Sequence, residues 1–328
     1  MANRKRKSTA AKQRAKARQQ QRAAAAAQGT PGASNQASSS SGWQPQAARR
    51  PGDRAPRRPQ RRRSSRTPWL LIGGVVVVVA FFVVMFVTKN DNTERGNASA
   101  GSIEKLTSVP AATLEDVGVP AQPSNVNALP SGTPAVEQDG KPVLLYFGAE
   151  YCPFCAVERW PVVVALSRFG TFSDLKSTTS APAPETLPNT PTVTFHGSSY
   201  ASDYLVFSSV ETATRDGNPL GTPTAFQQQL FDRYNVEAVT GSSGAIPFVM
   251  VGNRYAWAGS QYDTGLLEGK NFDQIVTALR DPKTDIAKGI GGAANYITAM
   301  ICQITNGQPA DVCSSAVIQQ AQGALPTA

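Results

Sequence analysis

A mixed α/β domain tethered to a membrane is what the sequence predicts, and three observations carry that expectation. Residues 69–87, WLLIGGVVVVVAFFVVMFV, form nineteen uncharged positions, close to the roughly 20 that a helix needs to cross a hydrocarbon core. From Lys141 onward, apolar runs of strand length alternate with stretches of helical period, the pattern of an α/β domain. Between the first such strand and the first such helix stand two cysteines, Cys152 and Cys155.

The segments follow in order from the N-terminus. Residues 1–67 hold 18 Lys+Arg and one acid, Asp53, a balance of +17 that leaves −8 for the rest of a +9 chain. With almost no large apolar residue, this tail cannot bury enough surface to offset chain entropy, so it is expected to be disordered and cytoplasmic. Anionic lipid is the expected partner of the tail, at about 1 kcal/mol per basic residue near the membrane surface. Nucleic acid is the less favoured partner, although composition alone does not separate the two.

Residues 68–88 are then read as one transmembrane helix. So long a polar stretch ahead of it argues for an uncleaved anchor rather than a secretion signal. Arg61, Arg62, Arg63 and Arg66 upstream outweigh Lys89 and Arg95 downstream, which keeps the N-terminus in the cytoplasm and puts the C-terminal part outside the cell membrane.

Residues 89–139, interrupted by Pro110, Pro120, Pro123, Pro130 and Pro134, read as an extracytoplasmic stalk with one short helix near Leu114. Asn97-Ala98-Ser99 matches a glycosylation sequon, which at three residues carries little weight. Compact structure is expected from Lys141 to about Ala321, as a domain over 140–284 with a C-terminal helical hairpin over 285–328.

The chemistry lies in GAEYCPFCAVERWPVVVAL. Residues 143–147, VLLYF, bounded by Pro142 and Gly148, read as a buried strand. Cys152 then falls at a helix N-terminus, where free N–H groups and the helix dipole stabilise a thiolate. Pro153 suits the first helical position. Cys155 lies three residues on, on the same helix face, within reach of a mixed disulfide formed at Cys152. Cys152 is therefore the attacking thiol and Cys155 the resolving one.

Zinc is the competing use of a CxxC pair, but the other cysteines, Cys302 and Cys313, are not spaced as a second knuckle. An oxidising compartment also favours disulfides over metal thiolates. The single histidine, His196, excludes a His-cluster metal site. No metal and no cofactor is expected.

Further on, SSGAIPFVMV over 242–251 is strand-like but carries Pro247, anomalous there unless it sits at an edge, a bulge or a cis turn. A turn at Gly252-Asn253, a strand over 254–258 and an amphipathic helix with Phe272, Ile275, Val276 and Leu279 follow.

Strand, Cys-Pro-Phe-Cys turn, helix, proline-marked hairpin and closing helix together resemble the thioredoxin superfamily, in particular its membrane-anchored members. More narrowly, the chain resembles an uncharacterised thioredoxin-like family with a CPxC centre. That resemblance implies a thioredoxin-like fold, a cis Pro247 beside the thiols, and substrate binding by the backbone at Ile246 together with Pro153 and Phe154. It also implies a thiol-disulfide oxidoreductase acting on cysteines of exported proteins and restored by a membrane redox partner. A non-catalytic binding or assembly module, braced by structural disulfides, is the alternative.

The chain departs from the superfamily pattern at Tyr146, where thioredoxins carry a buried acid. Glu150 is the candidate replacement as proton acceptor, set against a solvated loop carboxylate. The 92 residues from Cys155 to Pro247 exceed a single crossover and require an insertion. Strands are expected there over 175–179, 192–196 and 204–210 and a helix over 224–234, with 180–191 a loop, either a flap over the thiols or plain surface. Phe154, Trp160, Phe248, Tyr255 and Trp257 are candidates for a peptide groove, against the commoner reading as core. His196 is read as a bystander. Near the C-terminus, a helix over 292–305 stops at Asn306-Gly307, and Asp311 is expected to cap a last helix to Ala321. Cys302 and Cys313 would staple that hairpin, with a redox relay to Cys152 as the sharper alternative.

Overall fold

The computed structural model describes residues 96–119 and 125–327. The expected basic tail and the membrane span over 68–88 lie outside the described residues. Among the described residues no helix is long and apolar enough to cross a membrane.

In chain order the elements are α1 (Ser102–Thr107), α2 (Ala111–Val117), β1 (Asn127–Ala128), β2 (Glu137–Gln138), β3 (Lys141–Gly148) and α3 (Pro153–Leu166). Five strands follow: β4 (Thr171–Ser173), β5 (Lys176–Thr179), β6 (Pro191–Thr194), β7 (Ser199–Ala201) and β8 (Val206–Glu211). Then come α4 (Ala225–Tyr234), α5 (Glu237–Thr240), β9 (Phe248–Val251), β10 (Tyr255–Ala258), a 3-10 turn (Thr264–Leu267) and α6 (Phe272–Leu279). The chain closes with α7 (Asp285–Ile304), α8 (Ala310–Cys313) and α9 (Ala316–Ala324).

The main sheet is mixed. Central β3 pairs in parallel with β8 and antiparallel with β9, which turns back into β10, and β10 pairs with β1. Short β2 pairs antiparallel with the start of β3. Because successive strand residues face opposite ways, Val143, Leu145 and Phe147 join Phe248, Met250, Ala256 and α4 on one side. Leu144 and Tyr146 join Val249, Val251, Trp257, α3, α6, α7 and α9 on the other. Helices on both faces explain why β3 reads as an unbroken apolar run rather than an alternating one.

Local signals set the helix starts. Thr224 and Asn271 each close a capping box, with Gln227 and Gln274 respectively, satisfying orphan N–H groups at both ends of the exchange. At the β9–β10 turn Gly252 has φ +54°, and a Cβ there would come within 2.7 Å of Ile304. Glycine is required for both reasons.

Pro161 stands inside α3, where a missing N–H orphans the carbonyl four residues back. The Tyr262 hydroxyl donates to that Val157 carbonyl at 3.0 Å.

Three expectations are corrected. The described part of 89–139 is no stalk: Leu106 and Leu114 are fully buried against the domain, and Asn295 Nδ2 of α7 donates to the Leu114 and Gly118 carbonyls at the end of α2. Helices of six and seven residues are too short to show a period, and the prolines around them mimic linker composition. Nor does the helix expected over 292–305 begin at Gly292. Helix α7 begins at Asp285, seven residues before the expected start, and is buried along most of its length. Its glycines lower helix propensity, but Gly291 packs directly beneath Leu114 and Val117, so close approach overrides propensity. Asp311 lies inside α8 rather than capping the last helix, which starts after Ser315.

Cys302 and Cys313 are disulfide-bonded with their Cα atoms 5.6 Å apart, as expected of a staple. The bond lies at the Gly252 end of β9, whereas Cys152 adjoins the Pro247 end. The two cysteine pairs therefore lie toward opposite ends of β9.

Leu114→Ala is expected to lower stability by about 2–5 kcal/mol in urea unfolding, where a stalk residue would change it by less than about 0.5 kcal/mol. Replacing Cys302 and Cys313 with serine should cost about 2–4 kcal/mol in the same assay and leave the alkylation rate of Cys152 unchanged.

Candidate active site

Strand β3 ends at Gly148, and four residues later Cys152 caps α3. Its backbone is extended (φ −72°, ψ 121°), Pro153 occupies the first helical turn, and its Sγ accepts from the Cys155 N–H at 3.2 Å. A sulfur in an N-cap role receives the donors and the dipole that a carboxylate or hydroxyl receives elsewhere.

The two thiols differ sharply. Cys152 is 5% exposed and Cys155 fully buried. The Cys155 thiol and N–H, followed by the Arg159 guanidinium and the Phe154 N–H, hold Cys152 below the ordinary thiol value against its own burial. Burial pushes Cys155 well up, and the negative charge of Cys152 pushes it further. Cys152 Sγ also lies 3.6 Å from the Ile246 carbonyl oxygen, and the Ile246–Pro247 peptide is cis.

The turn before Cys152 is held from two sides. The Glu150 N–H donates to the Ala213 carbonyl at 2.9 Å, and the Tyr151 carbonyl accepts from the Ala181 N–H at 2.9 Å. Arg215 Nη2 ties the two flanking loops together through Asn189 Oδ1 at 2.7 Å. The 180–191 loop is therefore built into the rim of the site rather than lying as plain surface. Tyr151 and Phe154 are the large apolar side chains exposed among the described residues, at 36% and 43%, and they flank Cys152 in sequence.

Beneath the thiols α3 carries two buried charges. Arg159 makes a bidentate pair with Glu211 of β8, at 2.8 and 2.7 Å, and donates to the Ala149 carbonyl at 2.8 Å. Glu158 has no cation. Its carboxyl accepts from Trp257 Nε1 at 3.1 Å and from the Gln261 N–H at 3.0 Å, and burial pushes its pKa up to about 8.

The structure thus brings together Cys152, Pro153, Phe154, Cys155, Ile246 and Pro247. It does not bring the Glu150 carboxylate into a hydrogen bond with either thiol. Glu150 is half-buried and engaged through its backbone, and its charge acts on Glu211. Tyr146 is buried, its hydroxyl 3.4 Å from the Cys155 carbonyl oxygen.

Of the aromatics considered for a groove, Trp160, Phe248, Tyr255 and Trp257 are core, each at most 5% exposed, and only Phe154 faces solvent. His196 is exposed beyond the end of β6. Among the described residues no group of three or more His, Cys, Asp or Glu side chains is placed to hold a metal ion.

Sequence reasoning missed Glu158, Arg159 and Glu211. The signal was present: Glu158-Arg159 interrupts an otherwise apolar helix, and charges in such a helix are paired or neutral when buried.

Residues 133–303 match a family model described as a domain of unknown function (DUF929). The chain belongs to that family. The DUF929 region contains the thiols, the cis proline, Glu158 and the Arg159–Glu211 pair, and ends one residue beyond Cys302. No curated protein and no solved structure matches the chain.

Glu158 gives the DUF929 domain a pH-dependent stability of definite sign. Its folded pKa of about 8 lies above the ordinary carboxylate value of 4.5, so the folded state keeps a proton that the unfolded chain releases. Stability therefore falls as pH rises between those values. Urea unfolding should show this decline between pH 5 and 8, and Glu158→Gln should flatten it while keeping the fold.

Proposed function

We propose that the protein is a membrane-tethered, extracytoplasmic thiol-disulfide oxidoreductase with a thioredoxin-like core, acting on cysteines of exported proteins. The observation that carries the proposal is the asymmetry of the CPFC pair. One thiol is at the surface edge with its pKa lowered, while its partner three residues on is buried with its pKa raised. A dithiol of that kind has one sulfur ready to attack and one held back until a mixed disulfide forms.

The thioredoxin-like reading draws support from the order of elements: β3, the CPFC turn, α3, a cis proline leading into the β9–β10 hairpin, then α6. Cys155 and Pro247 stand 92 positions apart, and β4 to β8, α4 and α5 take the place of a simple crossover between them. The membrane tether rests on the apolar stretch at 69–87 and its basic upstream flank.

In the reducing direction the Cys152 thiolate attacks one sulfur of a substrate disulfide. That S–S bond breaks, a mixed disulfide forms at Cys152, and the displaced substrate thiolate takes up a proton. Cys155, once deprotonated, attacks Cys152 Sγ and expels the second substrate thiolate. The substrate is then a dithiol and the protein a disulfide. Oxidation of substrates is the same sequence reversed, and a membrane redox partner returns the pair to its starting state. The Ile246 carbonyl beside Cys152, Pro153 and the exposed Phe154 ring border the point where a substrate sulfur arrives.

Cys155→Ser in the full-length protein should accumulate mixed disulfides with exported proteins, and Cys152→Ser should accumulate none, as read by non-reducing gels. An expressed Cys155→Ser variant without adducts, together with a wild-type pair that glutathione cannot reduce, would overturn the proposal in favour of a structural brace.

A further inference from the structure

The buried Arg159–Glu211 pair is not explained by stability. Both side chains are completely buried, and a buried ion pair is on average no more stabilising than apolar residues of the same volume. Its placement is specific. Arg159 lies one helical turn after Cys155, on the same face of α3. Its Nη2 reaches back to the carbonyl of Ala149, three residues before Cys152. The guanidinium lies 5.8 Å from the Tyr146 ring centroid, and its Nη1 is buried with no hydrogen-bond partner. A bidentate fork thus leaves one cationic N–H edge unused inside the layer that underlies the thiols.

We propose that Arg159 is a positioning residue that biases the Cys152–Cys155 couple toward its reduced form, and that Glu211 limits that bias. The inference rests on reading the pair as an exchanging dithiol. The reduced form carries a thiolate and the disulfide carries no charge, so a fixed buried cation favours the reduced form and makes the couple more oxidising. At the same time the Arg159 bond to Ala149 ties the end of β3 to the helix that carries both sulfurs.

Among the described residues, the charged and titratable groups around Cys152 are Cys155 and Arg159 from its own helix, Tyr146 from β3, Glu150 and Tyr151 from the preceding turn and Glu211 from β8. Arg159 lowers the pKa of both thiols, whereas Glu211 opposes it chiefly at Cys155. The two charges therefore do not cancel at the attacking sulfur.

The test uses the full-length protein in detergent and three variants: Glu211→Gln, Arg159→Lys, and Arg159→Gln combined with Glu211→Gln. Two quantities are read, the pH of half-maximal iodoacetamide alkylation of Cys152 and the equilibrium constant with glutathione. Unmasking the cation in Glu211→Gln should make the couple several-fold more oxidising while the Cys152 alkylation midpoint stays near wild type, because Glu211 acts chiefly at Cys155. The neutral double variant should move the midpoint to higher pH and make the couple about tenfold less oxidising, or about 30 mV lower in potential. Arg159→Lys keeps the charge and should stay near wild type.

Equilibrium constants that shift in opposite directions in Glu211→Gln and in the neutral double variant are what a structural role would not produce. A wild-type equilibrium constant with glutathione in folded Glu211→Gln overturns the inference, and this variant decides alone if the neutral pair fails to fold. A wild-type protein whose pair neither alkylates nor equilibrates with glutathione would instead overturn the oxidoreductase reading.

Discussion

Burial of α3 on every side is the constraint from which the rest of the structure follows. The helix lies between the sheet and α7, with Cys152 at its solvent-facing start. Because no water reaches its body, each polar group along it needs a partner inside the protein. The Val157 carbonyl freed by Pro161 receives the Tyr262 hydroxyl, the Ala156 carbonyl receives Thr192 Oγ1 at 2.8 Å, and Trp160 Nε1 donates to the Pro191 carbonyl. The long region between Cys155 and Pro247 is therefore more than an insertion. It supplies Thr192, Pro191 and Glu211, each the partner of a polar group on the helix that carries the thiols.

The same constraint separates two acids that are adjacent on the fold to the same helix. Glu158 has two neutral donors and no cation, so its proton is retained near neutral pH and the group behaves as a neutral acid. Burial also raises the pKa of Glu211, but the Arg159 fork supplies two charge-assisted hydrogen bonds that favour its ionised form. One buried acid is thus silent toward the thiols, and the other is half of a dipole beneath them.

What was legible in the sequence were the features with short-range signatures. The CPFC turn, the cis Pro247, the Gly252 turn, the Thr224 helix start and the Phe272-Ile275-Val276-Leu279 stripe each declare themselves within a few residues, and each stands where it was expected. What was not legible depends on contacts distant in sequence. Helices α1 and α2 are held by residues about 170 to 180 positions away, through Asp273 to Ser102 and Asn295 to Leu114, so their own composition still reads as linker. Glu211 sits at the end of a strand of ordinary appearance, and only the parallel pairing of β8 with β3 carries it under Cys155. Proximity in sequence makes Glu150 a candidate acceptor, yet in the fold it is its backbone N–H, donating to the Ala213 carbonyl, that serves the turn before Cys152.

The rim of the site follows from the same geometry. A helix N-cap needs an extended residue before the first turn, and Cys152 meets that need only if the chain leaving β3 is fixed. Here Ala213 and Ala181 fix it from opposite sides, and Arg215 to Asn189 joins the loops that carry them. Rigidity in that turn keeps the Cys155 N–H directed at Cys152 Sγ, which is where much of the thiolate's stabilisation originates. The same closure occupies the backbone of Glu150 and Tyr151, leaving the side chains of Tyr151 and Phe154 to face solvent around the sulfur. The surface around Cys152 is therefore aromatic, with the Ile246 carbonyl oxygen 3.6 Å from the sulfur, and that apolar character is a consequence of how the turn is anchored.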